Sequence, residues 1–432
     1  MSTSSDDVSL FYYDKKASED VRSLKQILKH FLIIYTVLIA CGVFAYAITS
    51  LLFHLNHNPT TLDKAMPTEH PDCNKRIIGY YSENETTDIT KRQLSQLTHA
   101  IFAFIKLQPD GTLQFQSGSA KQRFLILKTN AESSTLKVMI SIGGMDINSD
   151  FSLVISDEKK RRSLIESIVS FLTEHQIDGV DIFWKWSSSR DKFNFSVFMR
   201  DLREKLDKQL KSYIVSILLP PAGVDIWEMG YDLDEIIDHI DFMNVYSMDY
   251  SGPWDNKWGT PTGPSAPMNY NIGPRKHFTV DWTMKYYACK TRQPNKFNIV
   301  IPFYARIWRS VGEAITLKTE VFRNAKLING KADGDPYISR LSVKQKGIEL
   351  FPYSWDNATK SSYIWKPKEK TFLTFENERS IEKKLQYVNE MNLGGVWIWS
   401  VDMDDRINTL LDAVSSDKFC SSSSANSINF KF

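Results

Sequence analysis

The chain has 432 residues, 42% hydrophobic and 12% aromatic, with 53 basic against 51 acidic side chains and a formal net charge of +2. That is too long for one small domain and apolar enough for a sizeable packed core. A near-balanced charge without blocks of one sign excludes a polyanion-binding tail and gives no reason to expect a nucleic-acid partner.

In chain order, residues 1–30 are polar and predict a cytoplasmic tail. From Phe31 to Phe53, "FLIIYTVLIACGVFAYAITSLLF" carries no charge and is long enough to cross a bilayer as one helix. Lys15, Lys16, Arg22, Lys25 and Lys29 precede it, whereas Lys64 is the first lysine or arginine beyond it. The positive-inside bias therefore predicts a signal-anchor at 31–53 and a single-pass type II membrane protein, with the remainder luminal or extracellular. Ala45-Tyr46-Ala47 resembles a signal-peptidase site, so secretion after cleavage is the alternative. Three glycosylation acceptors, Asn84, Asn194 and Asn357, all lie past the span. Of the four cysteines, Cys41 lies in the span; Cys73, Cys289 and Cys420 are exported, which permits one disulfide of open pairing. Their spacing has no zinc pattern and no HExxH occurs, so neither a metal nor a cofactor is expected.

Residues 54–74 read as a polar linker. Strands are then predicted over 76–82, 98–107, 136–144, 177–184, 213–220, 239–248, 297–305 and 394–401, several of them apolar on both faces as helix-covered parallel strands are. Helical spacing marks 157–176, 195–210 and 380–392. Eight such repeats predict an α/β fold, a (β/α)8 TIM barrel over 75–418. The long gap before the last strand predicts a short α+β insertion at about 307–374, containing the strand-like "EAITLKTE" and "KGIELFPYSW". Residues 419–432 read as a tail.

In such a barrel, function sits at the C-terminal strand ends. The fourth strand, "DGVDIFWKW" (178–186), places Asp181, Phe183 and Lys185 on one face by the strand period, and Val180, Ile182 and Trp184 on the other. The remaining strand ends supply Tyr80, Tyr246, Met248, Asp249, Tyr304, Arg306 and Trp399, with Trp254 in the loop after the sixth strand. Aromatic rings with scattered polar groups suit a hydroxylated ring such as a sugar, although most buried rings simply pack a core.

These segments resemble glycoside hydrolase family 18, the chitinases and chitinase-like proteins. The resemblance rests on "SIGG", "DGVDIFWKW", "FMNVYSMDYSGPW", "IPFYARIW" and "LGGVWIWSVDMDD", in order and at barrel spacing. A membrane anchor before the barrel is similar to the nematode chitinase-like group. The resemblance implies the pattern Asp-Gly-x-Asp-x-Asp-x-Glu on the fourth strand. Asp178 and Asp181 match it; Phe183 replaces the third aspartate and Lys185 replaces the glutamate that protonates the leaving oxygen. Hydrolysis in this family is substrate-assisted, so the glutamate and the aspartate that orients the N-acetyl group carry the protein's share. A lysine, with an ordinary pKa near 10.4, is a poor general acid at neutral pH. On the sixth strand Met248 stands where the resemblance implies a tyrosine, while Asp249 and Trp399 are retained. The expectation is a non-enzymatic protein that binds chitin or related N-acetylglucosamine oligosaccharides, with Lys185 tied to Asp181 or Asp249 as an ion pair. An interaction or signalling protein with a vestigial groove, its protein partner unspecified, is the alternative. A weak chitinase relying on Glu228 or Asp249 is the remaining reading.

Overall fold

A computed structural model describes residues 75–416 except 86, 133–134 and 145–147, together with 419 and the isolated positions 29, 36 and 39. Contacts divide the chain into two units, Met1–Met66 and Pro67–Phe432. Apart from Thr36 and Ile39, the predicted span at 31–53 lies outside the described residues, as do the linker and the tail except Phe419. No helix among the described residues is long and apolar enough to cross a membrane.

Among the described residues of the second unit, eight parallel strands close into a barrel. They are β1 (Arg76–Ser82), β2 (His99–Leu107), β3 (Lys137–Gly144), β4 (Gly179–Trp184), β5 (Ile214–Leu219), β6 (Phe242–Val245), β7 (Phe297–Pro302) and β8 (Gly395–Trp399). Each pairs in parallel with its chain neighbours, and β1 pairs with both β2 and β8. A short antiparallel strand, Leu113–Phe115, extends the sheet beside β2. Every residue of β4 is buried, because one face points into the barrel and the other lies under helices. The outward Trp184 stacks on Phe151 (5.2 Å between centroids, 14° between planes) and meets Phe195 edge-on. That is the placement the strand period predicts.

The covering helices follow from local chemistry. In the helix Glu158–His175, the Asp157 side chain accepts from the Lys160 N–H at 2.9 Å and caps the N-terminus. Gln176, in the left-handed region, ends it. Leu164, Ile165, Ile168, Phe171 and Leu172 recur at helical spacing and face the sheet. Gly143 of "SIGG" has φ +129°, and a Cβ there would lie 2.0 Å from the Phe183 carbonyl oxygen. Only glycine allows β3 to approach β4 that closely.

Two predicted boundaries are corrected. The run 297–305 is not one strand: β7 stops at Pro302, Phe303 donates its N–H to the Trp399 carbonyl at 2.8 Å, and Tyr304–Trp308 joins another sheet. That sheet has five antiparallel strands in the order Gly334–Ser339, Tyr304–Trp308, Thr371–Phe375, Ser361–Lys366, Ser354–Asp356. With a hairpin of Val311–Thr316 and Thr319–Ala325 and the helix Arg340–Gln345, it forms the inserted α+β element. The insertion therefore begins before 307. "EAITLKTE" spans the hairpin turn, whereas in "KGIELFPYSW" only Ser354 and Trp355 are strand. The predicted sixth strand, 239–248, is pared to Phe242–Val245, which releases Tyr246, Met248 and Asp249 from the ladder.

Candidate functional site

The inner face of β4 sets the layers of the site. Deepest is Asp181, fully buried, whose carboxylate accepts from the hydroxyls of Ser141 (2.6 Å), Ser216 (2.7 Å) and Tyr80 (2.9 Å). Burial pushes its pKa up, and the three hydroxyls oppose that. Above it, the buried ring of Phe183 packs against Phe104 (4.7 Å), Trp399 (5.9 Å) and Tyr80 (6.1 Å). Where the sequence resemblance implies a second carboxylate, the barrel holds an aromatic cluster. Asp178 lies at the opposite, N-terminal end of the strand, pairing with Lys211 at 3.0 Å and accepting from the Val138 N–H at 2.8 Å. Its role is structural.

At the top of β4, the Lys185 ammonium donates to the Tyr246 hydroxyl at 3.0 Å and sits 4.3 Å from that ring's centre. Tyr246 in turn donates to Asp249 at 2.6 Å. Asp249, at φ +59°, also accepts from Tyr304 and pairs with Arg306. Of the two anchors expected for Lys185, Asp181 is therefore occupied elsewhere, and Asp249 is reached through Tyr246. Burial lowers the Lys185 pKa and Asp249 works against that shift. For Asp249, burial raises the pKa, but Arg306, Lys185 and the tyrosine hydroxyls outweigh it and bring it down to about 2. A carboxyl held so low stays ionised at neutral pH and is no proton donor. Glu228, the other acid considered, accepts from the Gly223 N–H at 3.2 Å and does not line the cavity described next.

Beside Lys185 opens a cavity of about 350 Å³. Lys185 and Trp186 form its β4 side, Trp227 comes from the loop after β5, and Tyr246, Met248 and Asp249 follow β6. Trp254, Trp258, Arg275 and Phe278 complete its outer wall. Trp186 and Trp227 stack on each other (5.5 Å, 28°), so one wall is a continuous aromatic surface.

Five of the expected site residues thus meet in one place: Lys185, Tyr246, Met248, Asp249 and Trp254. Others do not line it. Tyr80 is entirely buried, its hydroxyl spent on Asp181 and on the Asn244 side chain (2.9 Å). Tyr304 and Arg306 stand behind Asp249; the Arg306 guanidinium lies 4.3 Å from the Trp254 ring and positions that wall. Trp399 is half-buried and stacked on Phe104 (5.7 Å, 28°), outside the cavity. Reading strand ends alone missed Trp186, Trp227, Arg275 and Phe278. The signal for Trp227 was its place in a loop leaving the C-terminal end of a barrel strand. Of the glycosylation acceptors, Asn84 and Asn357 are exposed and Asn194 is half-buried in the helix Lys192–Leu206. Cys289 is a free, half-buried thiol; Cys73 and Cys420 lie outside the described residues.

The sequence pattern of Glycosyl hydrolases family 18 matches residues 76–404. The chain belongs to that family. Within family 18, it is 24% identical over 324 residues to human chitinase-3-like protein 2, covering 71% of this chain and 80% of the relative. It is 23% identical over 414 residues to chitinase B of Serratia marcescens, covering 79% and 83%. Among solved structures, the Ostrinia furnacalis Group IV chitinase superposes with a TM-score of 0.68 at 20% identity, covering 81% of this chain and 100% of that one. Human YKL-39, described as a pseudo-chitinase with retained chitooligosaccharide binding, superposes with a TM-score of 0.67 at 21% identity, covering 79% and 98%. At these identities the structural likeness establishes the fold. Family 18 thus holds chitinases and pseudo-chitinases on one barrel, and what distinguishes them must be read from the site.

Proposed function

We propose that this family 18 protein is a non-enzymatic saccharide-binding protein, tethered to a membrane by residues 31–53 with its barrel luminal or extracellular. Its ligand is chitin or a related N-acetylglucosamine oligosaccharide, held in the cavity beside Lys185. The observation that carries the non-enzymatic half is the pair of replacements on β4: an ammonium hydrogen-bonded to Tyr246 and a phenyl ring buried among Phe104, Tyr80 and Trp399. Loss of a general acid alone is worth about 10²–10⁴ in rate. A cation there also repels the positive charge that develops at the anomeric carbon. The aromatic cavity supports the binding half, because stacked indoles suit the apolar face of a sugar ring. The retained oligosaccharide binding described for YKL-39 is consistent with it.

The test is calorimetric titration of the full chain with a chitin hexamer, in parallel with a hydrolysis assay on the same sugar. Saturable binding without product is expected, with Trp227→Ala weakening it about tenfold through loss of one stacking face. Measurable turnover would overturn the non-enzymatic reading. The packing of Trp399 onto Phe104 favours a second reading, an interaction protein with a vestigial groove. Absence of heat at millimolar sugar would select it.

A further inference from the structure

The cavity lining is balanced in charge, and its inner polar groups are already engaged by the protein. Lys185 and Arg275 stand against Asp249 and Asp225, two cations and two carboxylates. The Asp249 carboxylate accepts from the hydroxyls of Tyr246 (2.6 Å), Tyr304 and Ser265 (3.3 Å) and pairs with Arg306. The Tyr246 hydroxyl accepts from Lys185 at 3.0 Å while donating to Asp249. Tyr250 bonds its hydroxyl to that of Thr283 (2.6 Å) and to the Thr279 carbonyl (3.2 Å). The Arg275 guanidinium donates to the carbonyls of Trp258 (2.5 Å), Thr260 (3.1 Å) and Pro261 (3.4 Å) and to the Ser251 hydroxyl (3.4 Å). Even the Met248 sulfur, where the family resemblance implies a tyrosine, accepts from Tyr304 at 3.3 Å. Asp225 and Asn256 are exposed at the rim. What the interior presents to a ligand is therefore chiefly ring faces and aliphatic carbon: the stacked Trp186 and Trp227, Trp254, Phe278 and Val224. An indole adds one N–H, against the several hydroxyls of each sugar ring. Hydroxyls and amides drawn into such a space lose water without gaining partners, whereas apolar surface is stabilised there. The rim is apolar in part as well. Ile226, 71% exposed at φ +52°, lies between the lining residues Asp225 (φ +48°) and Trp227. Two successive non-glycine residues in the left-handed region, one of them β-branched, are a strained placement of the kind that collects at ligand sites.

We propose that the cavity takes an apolar aglycone: the ligand is an N-acetylglucosamine oligosaccharide linked to an aryl or alkyl group. That group fills the interior against Trp186 and Trp227, while the sugar rings meet the rim at Asp225, Asn256 and the exposed Trp258. This rests on the saccharide-binding reading above and names the class of saccharide. A volume of about 350 Å³ accommodates a two-ring aryl group or a short alkyl chain. An unsubstituted oligomer would set hydroxyls against ring faces and against polar groups whose bonds are already made. The flat wall of stacked indoles suits an aromatic aglycone in particular.

The experiment titrates the full chain, held in lipid nanodiscs to keep detergent out of the cavity, by calorimetry. The probes are triacetylchitotriose, its 4-methylumbelliferyl and n-heptyl glycosides, and 4-methylumbelliferone alone. The glycosides are expected to bind at least about tenfold more tightly than the free trisaccharide, since roughly 100 Å² of newly buried apolar surface suffices for that. A preference shared by both glycosides assigns an apolar group of either kind, and one confined to the umbelliferyl glycoside assigns a flat ring. Trp227→Ala should weaken the umbelliferyl glycoside more than the free trisaccharide, so that the ratio of their affinities falls. A free trisaccharide that binds as tightly as both glycosides, or a ratio unmoved by Trp227→Ala, overturns this proposal and leaves the saccharide reading standing. Umbelliferone binding as tightly as its glycoside would defeat the saccharide reading, because the sugar would then add nothing. No binding by any probe defeats both. Because the preference is read on the unaltered protein, the result stands even if Trp227→Ala folds poorly.

Discussion

At position 249, one carboxylate accepts from the hydroxyls of Tyr246, Tyr304 and Ser265 and pairs with the buried Arg306. Against the opposing push of burial, Arg306, Lys185 and the hydroxyls of Tyr246 and Tyr304 bring its pKa down to about 2 from an ordinary 3.8. Between those two values the unfolded chain binds the proton and the folded one does not. The stabilisation is therefore complete above about pH 4 and is lost as pH falls towards 2. Asp249→Asn should lower stability at pH 7 by about 3 kcal/mol, mainly by leaving Arg306 buried without its counter-charge. Urea unfolding across pH 2–7 checks this: the gap between the two proteins should narrow below pH 4, and a constant gap would mean that charge is not what Asp249 contributes. Phe183 makes the complementary point. A ring that packs on Tyr80, Phe104 and Trp399 fills its space stably, which accounts for Phe183 without assigning it to a ligand.

The elements that shape the mouth are those that stop being regular. β6 ends at Val245, and the chain beyond it turns to deliver Tyr246, Met248 and Asp249; β7 ends at Pro302, and the chain switches into the inserted sheet. Return from that sheet is fastened by a buried ion pair. Glu376, just past the strand Thr371–Phe375, accepts from Lys384 on the helix Glu378–Glu390 at 2.7 Å and from the Ser380 hydroxyl at 2.6 Å. Lys384 is fully buried, so removing either partner strands a charge. Lys384→Met should cost about 3–5 kcal/mol, and adding Glu376→Gln should restore most of it, because the price lies in the unpaired ion and not in the lost attraction. Denaturant midpoints of the single and double variants decide it; a double variant no better than the single would place the loss in packing.

At the scale of the whole molecule, the sequence-level expectation of an uncleaved anchor has a direct readout. In sealed microsomes the portion after residue 54 should resist added protease while the first 30 residues do not, and a deglycosidase should increase its gel mobility through one or more of Asn84, Asn194 and Asn357. Release of the barrel into the lumen would favour cleavage near Ala45-Tyr46-Ala47. What the sequence by itself determined is what short-range pattern encodes. Parallel strands covered on both faces are apolar runs bounded by turns, so the barrel, its order and the inward or outward facing of β4 were legible. The departure from the family pattern at 183 and 185 was legible too, because residue type is read from the sequence wherever the side chain sits. The end of β7 was not, since residues on both sides of Phe303 are equally buried and only the pairing partner changes. Nor was the partner of Lys185, a hydroxyl 61 residues away, or the burial of Tyr80 beneath the site. Only the tertiary structure placed Trp227 and Arg275 beside Lys185 and set Trp399 apart from them. Cavity walls and their net charge are sums over loops from different strands, and no local period records which loops will meet.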